Sequence, residues 1–481
     1  MSARRPLRAL LALSSVLIWL TIAPPAQAAQ RLVQIETPSR NVDPADVRFN
    51  GADHPRRLRA NVLLPDDYDG RRRFPVLFLL HGVGDNYRSW ASPSHGDVAT
   101  TARGLDAIVV MPEAGRGFYA NWWNGGIRGR PGWERFYLDE LVPLVEERFR
   151  VRRGRRWHAL AGISMGGLGA AYLGSQHPGY FGSVATFSGF VSHQRPEVAP
   201  ALGAVGGVNY AEIFGPRDGF YASGHNPVTL VRALRSTRLY VAVGNGIADP
   251  RAGSPAPTVL NGGLVELGLR LEAEDLVKAA RAAAVPVTYH PSGGIHDWPY
   301  WRRHLRDAIR WGLFEPVAER PANWEYSTVA TRGEMWGLRY SFATPPAEVV
   351  DFSADGRSLV GWGSGGTVTV RNEARCGFSA RLPFERSLPP AICGRLRVSV
   401  APRRVRLGRT IRLRFRVRRR AEGVLLPVRG ARLRLGRRIV RTDSRGHASL
   451  RYRPRGRPGT RRVRVAVPGL RSPRATLRVV R

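Results

Sequence analysis

Short apolar runs alternate with helix-like segments through residues 30–315, and this alternation constrains the fold more than any other feature. The runs are VLFLL (76–80), AIVVM (107–111), HALAG (158–162), GSVATFS (182–188), LYVAV (239–243) and VPVTYH (285–290). Strands buried on both faces of a parallel sheet have this composition. The alternation therefore predicts an α/β sheet with helices on both faces. We expect two leading strands, at 31–39 and 57–65, to run antiparallel to the rest.

The third apolar run leads directly into the pentapeptide GISMG (162–166), which has the form G-x-S-x-G. The residues after it, GGLGAAYLG, are typical of a helix packed closely against its neighbours. A strand, a sharp turn and a helix in this order form a nucleophile elbow, in which the serine occupies a strained turn. The N-terminus of the helix also favours developing negative charge. We therefore predict that Ser164 is a nucleophile.

A nucleophilic serine needs a base, and in this kind of site the chain order is serine, acid, histidine. The chain has 11 histidines, and most precede the serine, lie mid-chain or lie in the tail. His296 lies in GGIHDWPYW (293–301), a glycine-led loop after the last predicted strand. Such a loop can bring an imidazole to the elbow. We predict that His296 is the base, with His304 on the following helix as the alternative.

Two carboxylates are candidates for the acid. Asp249 lies in VGNGIADP, the loop after the strand at 239–243, and Glu266 lies in VELGLR on or before the next helix. Either group can orient an imidazole, and the position of Asp249 slightly favours it. The pattern alone leaves both open.

The remaining site residues are expected to bind the oxyanion and the substrate. Two backbone N–H groups must point at the reacting oxygen, and we predict those of Met165 and Val83, the latter in the loop after the strand at 76–80. Trp122, Trp123 and Trp298 are candidates for an acyl or sugar surface, although tryptophans serve equally often as core residues. The sequence has no Cys and His cluster with metal-ligand spacing, so we predict neither a metal nor another cofactor.

The motifs LLHG, FYANWW, GISMGG, GNG and HDWPYW, in this order, resemble the esterase D-like branch of the α/β hydrolases, and especially the secreted mycolyltransferases of the antigen 85 type. The resemblance covers about residues 35–315 and implies an α/β-hydrolase fold. It implies that Ser164 is acylated and that His296 is the base. It also implies Glu266 as the acid, because VELGLR matches the family helix that carries a glutamate.

The resemblance extends to the oxyanion donors, which match Val83 and Met165, and to the tryptophan of the histidine motif, which matches Trp298. One departure concerns the acceptor. The mycolyltransferases have Asp-Gly where this chain has His81-Gly82, and their aspartate helps to hold trehalose. Trehalose recognition is therefore not implied.

The pattern becomes β-like after about residue 316. We predict a small β-rich appendage at 316–394 and an immunoglobulin-like β-sandwich at 395–481, in which arginine alternates with apolar residues. The second segment holds 30 arginines against two acidic residues, in a chain of net charge +38. We expect it to attract anionic cell-envelope polymers or lipids. It lacks the interleaved aromatic residues that stack on nucleic acid, which argues against that partner.

The N-terminal residues predict export. Three arginines precede an apolar run at 9–20, and AQA (26–28) offers a cleavage site, so we predict a signal peptide at 1–28. The two cysteines, Cys376 and Cys393, then predict a disulfide. We expect a secreted or cell-envelope protein.

Three functions are compatible with these features. The first is an exported serine ester hydrolase acting through an acyl-enzyme on Ser164. The second is an acyltransferase that moves the acyl group to a sugar acceptor. The third is a non-catalytic envelope-binding protein that docks through its basic tail. The complete set of serine, acid and histidine favours the first two.

Overall fold

The computed structural model describes residues 31–43, 57–123, 131–372, 376–388, 396–421, 424–467 and 474–481. The predicted signal peptide lies outside these residues. Within the described ranges, no helix combines the length and apolar character needed to cross a membrane.

The N-terminal half is built on one eight-stranded sheet. Its strands are β1 (Arg31–Thr37), β2 (Leu58–Leu64), β3 (Val76–Leu80), β4 (Ile108–Pro112), β5 (His158–Ile163), β6 (Ser183–Phe187), β7 (Arg238–Val243) and β8 (Val287–Pro291). Their order in the sheet is β1-β2-β4-β3-β5-β6-β7-β8, and the strands from β4 to β8 are parallel. The mostly parallel sheet is as predicted.

One expectation about the leading strands was wrong. β2 is antiparallel to β4, as expected, but it is also antiparallel to β1. Two successive reversals restore the direction, so β1 runs the same way as the parallel strands.

Helices cover both faces of this sheet. They are α1 (Val98–Thr101), α2 (Trp133–Arg135), α3 (Val142–Arg148), α4 (Met165–Gln176), α5 (Val198–Ala201), α6 (Tyr210–Phe214), α7 (Phe220–Ser223), α8 (Pro227–Leu230), α9 (Ala256–Ala282) and α10 (Trp298–Trp311). Phe136–Leu141 and Leu202–Gly206 are π-helical, and Arg155–Trp157, Val231–Leu234 and Pro250–Ala252 are 3₁₀ turns.

Alternate residues of each strand enter separate cores, because successive side chains point to opposite faces of a sheet. Phe78 and Leu160 belong to the core that includes residues of α4 and α9. Leu77 and Ala161 belong to the core on the other face, with Trp301 and Leu305 of α10. All six predicted strands are buried on both sides in this way except β8, which lies at the sheet edge and is half-exposed.

Four further sheets follow. Their strands are β9 (Asn323–Thr328), β10 (Arg332–Met335), β11 (Leu338–Phe342), β12 (Val350–Asp355), β13 (Ser358–Trp362), β14 (Thr367–Asn372), β15 (Gly377–Arg381), β16 (Phe384–Ser387), β17 (Leu396–Ala401), β18 (Arg404–Arg406), β19 (Ile411–Ala421), β20 (Val424–Pro427), β21 (Arg432–Leu435), β22 (Arg438–Arg441), β23 (His447–Tyr452), β24 (Gly459–Ala466) and β25 (Arg474–Val480). The fold is thus an α/β sheet followed by all-β modules.

These sheets pack in two pairs. The sheets β10-β11-β14-β15 and β16-β13-β12-β9 share one apolar core. The sheets β17-β19-β20, with β23 beside β19, and β18-β25-β24-β21-β22 share another. Within these four sheets, all described strand pairs are antiparallel except β18 with β25. The boundaries at 315 and 394 stay predictions. Cys376 is buried, but Cys393 lies outside the described residues, so the disulfide stays a prediction too.

Candidate active site

The turn that carries Ser164 has the geometry of an elbow. β5 ends at Ile163, and α4 begins at Met165. Ser164 has φ 51° and ψ −119°, a region that non-glycine residues rarely occupy and that costs about 1–3 kcal/mol. A Cβ at Gly162 would lie 2.1 Å from the carbonyl oxygen of Gly166, so the turn tolerates no side chain there.

Hydrogen bonds hold the strained turn in place. The Ser164 N–H donates to the carbonyl of Phe187 in β6 at 3.0 Å. The Ser164 carbonyl accepts from the N–H groups of Gly167, Leu168 and Phe190 at 2.9, 3.2 and 3.2 Å. The backbone on both sides of the serine is therefore fixed, and its half-buried side chain stands at the carboxyl edge of the sheet.

Two backbone N–H groups beside the serine are available to an oxyanion. Met165 is the first residue of α4, and Val83 follows β3. A Cβ placed on Gly82 would lie 3.4 Å from Ser164 Cβ, so this loop runs alongside the serine. No hydrogen bond within the described part of the chain uses the N–H of Val83 or Met165. Free donors next to a nucleophile are the requirement for an oxyanion hole.

His296 and Glu266 form a buried pair at the same edge. His296 Nδ1 lies 3.0 Å from Glu266 Oε2, and the Glu266 side chain is fully buried on α9. Burial raises the pKa of Glu266, but the hydrogen bond and charge of His296, together with the hydrogen bonds from Ser188 and the Gly244 N–H, bring the net pKa below its ordinary value. The carboxylate is thus anionic. It fixes the Nδ1–H tautomer and leaves Nε2 to accept a proton.

Two further side chains, Ser188 and Trp301, contact this pair, and the sequence analysis did not predict Ser188. Ser188 Oγ donates to Glu266 Oε1 at 2.7 Å and accepts from Trp301 Nε1 at 3.2 Å. The Trp301 ring stands perpendicular to the His296 ring, with centroids 4.8 Å apart. The available signal was a serine directly after an apolar run, at the edge where the other site residues meet.

The structure does not bring Asp249 to His296. Asp249 is exposed and accepts the N–H of Arg251 at 2.9 Å, while its own N–H donates to Tyr300 Oη at 2.7 Å. Among the described residues, no hydrogen bond joins His296 to Asp249 or to the Ser164 hydroxyl.

The other histidines near the site are buried and bonded elsewhere. His304 Nε2 lies 3.0 Å from Ser292 Oγ, and burial lowers the pKa of His304 to about 4. His81 Nδ1 lies 2.8 Å from the carbonyl of Gly82, and its Nε2 accepts the N–H of Ala114 at 3.0 Å. The bonds of His81 fix the loop that carries Val83.

The three candidate tryptophans have different surroundings. Trp298 is 8% exposed and packs edge-to-face against Trp90 and Trp301. Trp122 and Trp123 are half-buried and line a cavity of about 470 Å³. A substrate role stays a prediction for all three. Across the described ranges, no group of three His, Cys, Asp or Glu side chains is placed to hold a metal ion.

The chain is similar in sequence to several known proteins. The esterase Rv1288 of Mycobacterium tuberculosis (strain ATCC 25618 / H37Rv) is 32% identical over 203 residues, which are 40% of this chain and 43% of the relative. The diacylglycerol acyltransferase/mycolyltransferase Ag85A of Mycobacterium leprae (strain TN) is 28% identical over 259 residues, covering 50% of this chain and 74% of the relative. The chain thus spans less than half the length of Rv1288.

The chain is also similar to solved structures, among them a ferulic acid esterase, with a TM-score of 0.43 and 23% identity, covering 60% of this chain and 99% of the other. MPT51 (FbpC1) of Mycobacterium tuberculosis has a TM-score of 0.45 and 20% identity, covering 56% of this chain and 97% of the other. A family model described as "Putative esterase" matches residues 52–311, more than half of the chain. The chain therefore belongs to this esterase family and has its α/β-hydrolase fold.

Proposed function

We propose that the protein is an exported serine ester hydrolase whose acyl-enzyme forms on Ser164. The family makes the chain an esterase or acyltransferase. The observation that supports a serine hydrolase mechanism is the pair of Glu266 and His296, which lies at the sheet edge where Ser164 occupies its elbow.

In the first half-reaction, Ser164 Oγ attacks the ester carbonyl carbon while His296 Nε2 takes the hydroxyl proton. The N–H groups of Met165 and Val83 bind the oxyanion of the tetrahedral intermediate. Glu266 stabilises the imidazolium. The intermediate then collapses: the C–O bond to the alcohol breaks, and His296 returns the proton to the departing alkoxide. Ser164 remains acylated.

In the second half-reaction, a nucleophile removes the acyl group. Water, deprotonated by His296, attacks the acyl carbonyl, and the proton then passes to Ser164 Oγ as the carboxylic acid leaves. An acyltransferase differs only in this step, because a sugar hydroxyl takes the place of water. The similarity to Ag85A supports that second candidate.

The two sheets formed by β17 to β25, which we call the arginine-rich sheets, support a proposal about where in the cell the protein acts. Arg412 faces Arg451 across β19 and β23, and Arg397 faces Arg418 across β17 and β19. Like charges directly opposite each other destabilise a sheet unless an anion screens them. We propose that this surface docks on anionic polymers or lipids of the cell envelope, with residues 1–28 as the export signal.

The deciding experiment compares the mature protein with Ser164→Ala on nitrophenyl esters, with and without trehalose or glucose. Ser379→Ala, on an exposed β15 position, is the matched control. We expect Ser164→Ala to lose activity at least ~1,000-fold and the control to retain it, with a sugar-independent rate. An acylated sugar product would select the acyltransferase. Full turnover by Ser164→Ala would overturn both mechanisms.

A further inference from the structure

A cavity of about 470 Å³ lies where the α/β sheet meets the first pair of all-β sheets. On the α/β side, its wall includes the rings of Trp122, Trp123, Phe220 and Tyr221. On the other side it is lined by residues 329–331, which follow β9, and 345–346, which follow β11. Ligand pockets have volumes of about 300–1,000 Å³ and aromatic or apolar walls with a few convergent polar groups. We call this space the junction cavity.

Direct contacts hold the two sides of the junction cavity together. Gln176 Nε2 donates to the carbonyl of Ser327 in β9 at 3.0 Å. Arg235 Nη1 lies 2.9 Å from Glu325 Oε1 in the same strand. The junction cavity is therefore built by both regions of the folded chain.

The junction cavity is separate from the candidate active site. None of Ser164, Glu266 and His296, all within the described residues, lines it. α4 begins next to Ser164, and Tyr172 lies eight residues further on, about 12 Å along the helix axis. The Tyr172 hydroxyl donates at 3.0 Å to Glu134, a residue of the cavity wall. A ligand in the cavity therefore occupies a different site from that of Ser164.

The aromatic wall offers flat apolar faces. The centroid of the Trp123 ring lies 5.7 Å from that of Phe220 and 5.0 Å from that of Tyr221. Trp123 is half-buried, and its Nε1–H makes no hydrogen bond within the described part of the chain. The indole therefore combines an apolar face with a free donor at its edge.

Two buried acceptors in the wall lack partners. Glu134 is 7% exposed, and its Oε2 accepts from Asn121 Nδ2 at 2.7 Å and from the Tyr172 hydroxyl at 3.0 Å, whereas its Oε1 accepts from no described residue. His225 is 2% exposed, and its Nδ1 donates to the carbonyl of Tyr221 at 2.7 Å. Burial lowers the pKa of His225 to about 4, so its Nε2 is an unprotonated acceptor, again with no described partner. A buried acceptor costs free energy until a ligand or water donates to it.

The charges of the wall favour a neutral ligand. Arg135 makes no ion pair or side-chain hydrogen bond with a described residue, so its guanidinium offers free donors. Burial raises the pKa of Glu134 to about 7, although the Tyr172 hydrogen bond and the charge of Arg135 lower it, so Glu134 adds at most one negative charge. Arg40, also in the wall, lies 3.9 Å from Glu140. A cation would meet Arg135, an anion would meet the two acceptors, and an apolar ligand would leave all of these groups unpaired.

A sugar satisfies the whole set. A pyranose ring has C–H groups on its faces, which pack on aromatic rings, and hydroxyl groups around its edge, each of which donates and accepts. We propose that the junction cavity is an accessory site that binds a neutral oligosaccharide, with a sugar ring against Trp123 and hydroxyl groups on Glu134, Arg135 and His225. The proposal goes beyond the esterase function, because binding here involves neither Ser164 nor turnover.

The test is isothermal titration of the full chain with xylohexaose, cellohexaose and maltohexaose. We expect at least one of them to bind and Trp123→Ala to weaken that binding at least tenfold, because the sugar loses its stacking face. Trp362→Ala, at a 48% exposed tryptophan on β13, is the matched control and should change binding less than twofold.

Two further variants keep the test decisive. Ala330→Trp fills the junction cavity from the β side, away from Ser164, and should abolish binding. Arg135→Gln removes a side chain that pairs with no described residue, so it should keep the unfolding midpoint of the parent protein and weaken binding at least fivefold. It decides the matter if Trp123→Ala does not fold.

Three results would overturn the proposal. The parent protein could bind none of the three sugars, or the variants at 123, 135 and 330 could all bind as the parent does, which would place the sugar elsewhere. Choline chloride or sodium phosphate could bind in place of sugar and be lost in Arg135→Gln, which would mean a charged ligand. A failure of the esterase function would appear separately, as a lack of Ser164-dependent turnover.

Discussion

Two regions of the chain use arginine in opposite ways. In the α/β region, Arg155 is 1% exposed, and its guanidinium donates to the carbonyls of Pro178, Phe181, Ser236 and Ala318 and to Thr237 Oγ1. In the arginine-rich sheets, residues such as Arg412, Arg414 and Arg416 point outward from β19 on alternate positions. The buried Arg155 holds the surrounding backbone in place, whereas the outward arginines present positive charge to the solvent.

The difference predicts how each region responds to change. Where a charge is buried with defined partners, removing it leaves those partners unsatisfied, and the cost is large and local. Where charges stand in water beside like charges, one substitution has little effect and many act together.

The largest effect is expected at Glu266. Glu266→Gln keeps the shape of the side chain but removes the negative charge that, in the mechanism we propose, stabilises the His296 imidazolium. We expect kcat to fall about 10⁴-fold, the size found when the acid of a related triad is changed to its amide. The measurement is steady-state turnover of a nitrophenyl ester.

Asp249→Asn is the matched control and should retain full activity, since Asp249 contacts a backbone turn rather than His296. If Asp249→Asn were the inactive variant and Glu266→Gln the active one, the acid assignment would be reversed.

The same substitution in both regions tests the contrast directly. Arg155→Met leaves several buried carbonyls without a donor, and we expect a loss of about 4 kcal/mol in the free energy of unfolding. Arg412→Met relieves the opposition to Arg451 and should change stability by less than about 0.5 kcal/mol. Denaturant unfolding of both variants provides the comparison. Equal losses would show that the exposed arginines are structural.

The sequence predicts the parts of the fold that local chemistry decides. β3, β5, β6 and β7 are buried and mostly apolar because helices cover both of their faces. The pentapeptide around Ser164 has glycine at the two positions, 162 and 166, where neighbouring backbone would lie within 3 Å of a Cβ. The direction of β1 depends on how β2 pairs with both of its neighbours, which no local pattern records.

Which carboxylate contacts His296 depends on tertiary distance. Asp249 and Glu266 both follow β7, and the packing of α9 against the loop of His296 brings Glu266, not Asp249, to the imidazole. Ser188 lies more than 75 residues before either partner in sequence and reaches Glu266 through the sheet edge. Motif spacing gives no indication of a contact between residues so far apart in the sequence.

A buried carboxyl group on α9 provides a pH test. Burial raises the pKa of Glu272 to about 8, although the Ser192 N–H and the charge of Arg195 lower it. The folded state therefore keeps a proton that the unfolded state loses above about pH 4.5, so stability falls as pH rises toward 8. Between pH 5 and 8 the parent protein should lose on the order of 3 kcal/mol of its free energy of unfolding through this group, and Glu272→Gln should not show that loss. Chemical unfolding between pH 5 and 8 measures it.

Glu274→Gln, at a half-exposed site on the same helix, should leave the pH slope as it is in the parent protein. A parent slope that persists in Glu272→Gln would mean that another group holds the proton.

The smallest effect concerns a single outward arginine. An arginine near an anionic membrane contributes about 1 kcal/mol, so Arg412→Gln should weaken binding to vesicles rich in phosphatidylglycerol by only about fivefold at low salt. Because these charges act through a screened field, the difference should vanish near 0.5 M salt, at a Debye length of roughly 4 Å. Arg270→Gln, whose guanidinium already pairs with Glu274, is the control and should lose less. A loss of binding in Arg412→Gln that persisted at high salt would indicate a specific contact. The outward arginines would then act through individual partners, as Arg155 does, rather than through their summed charge.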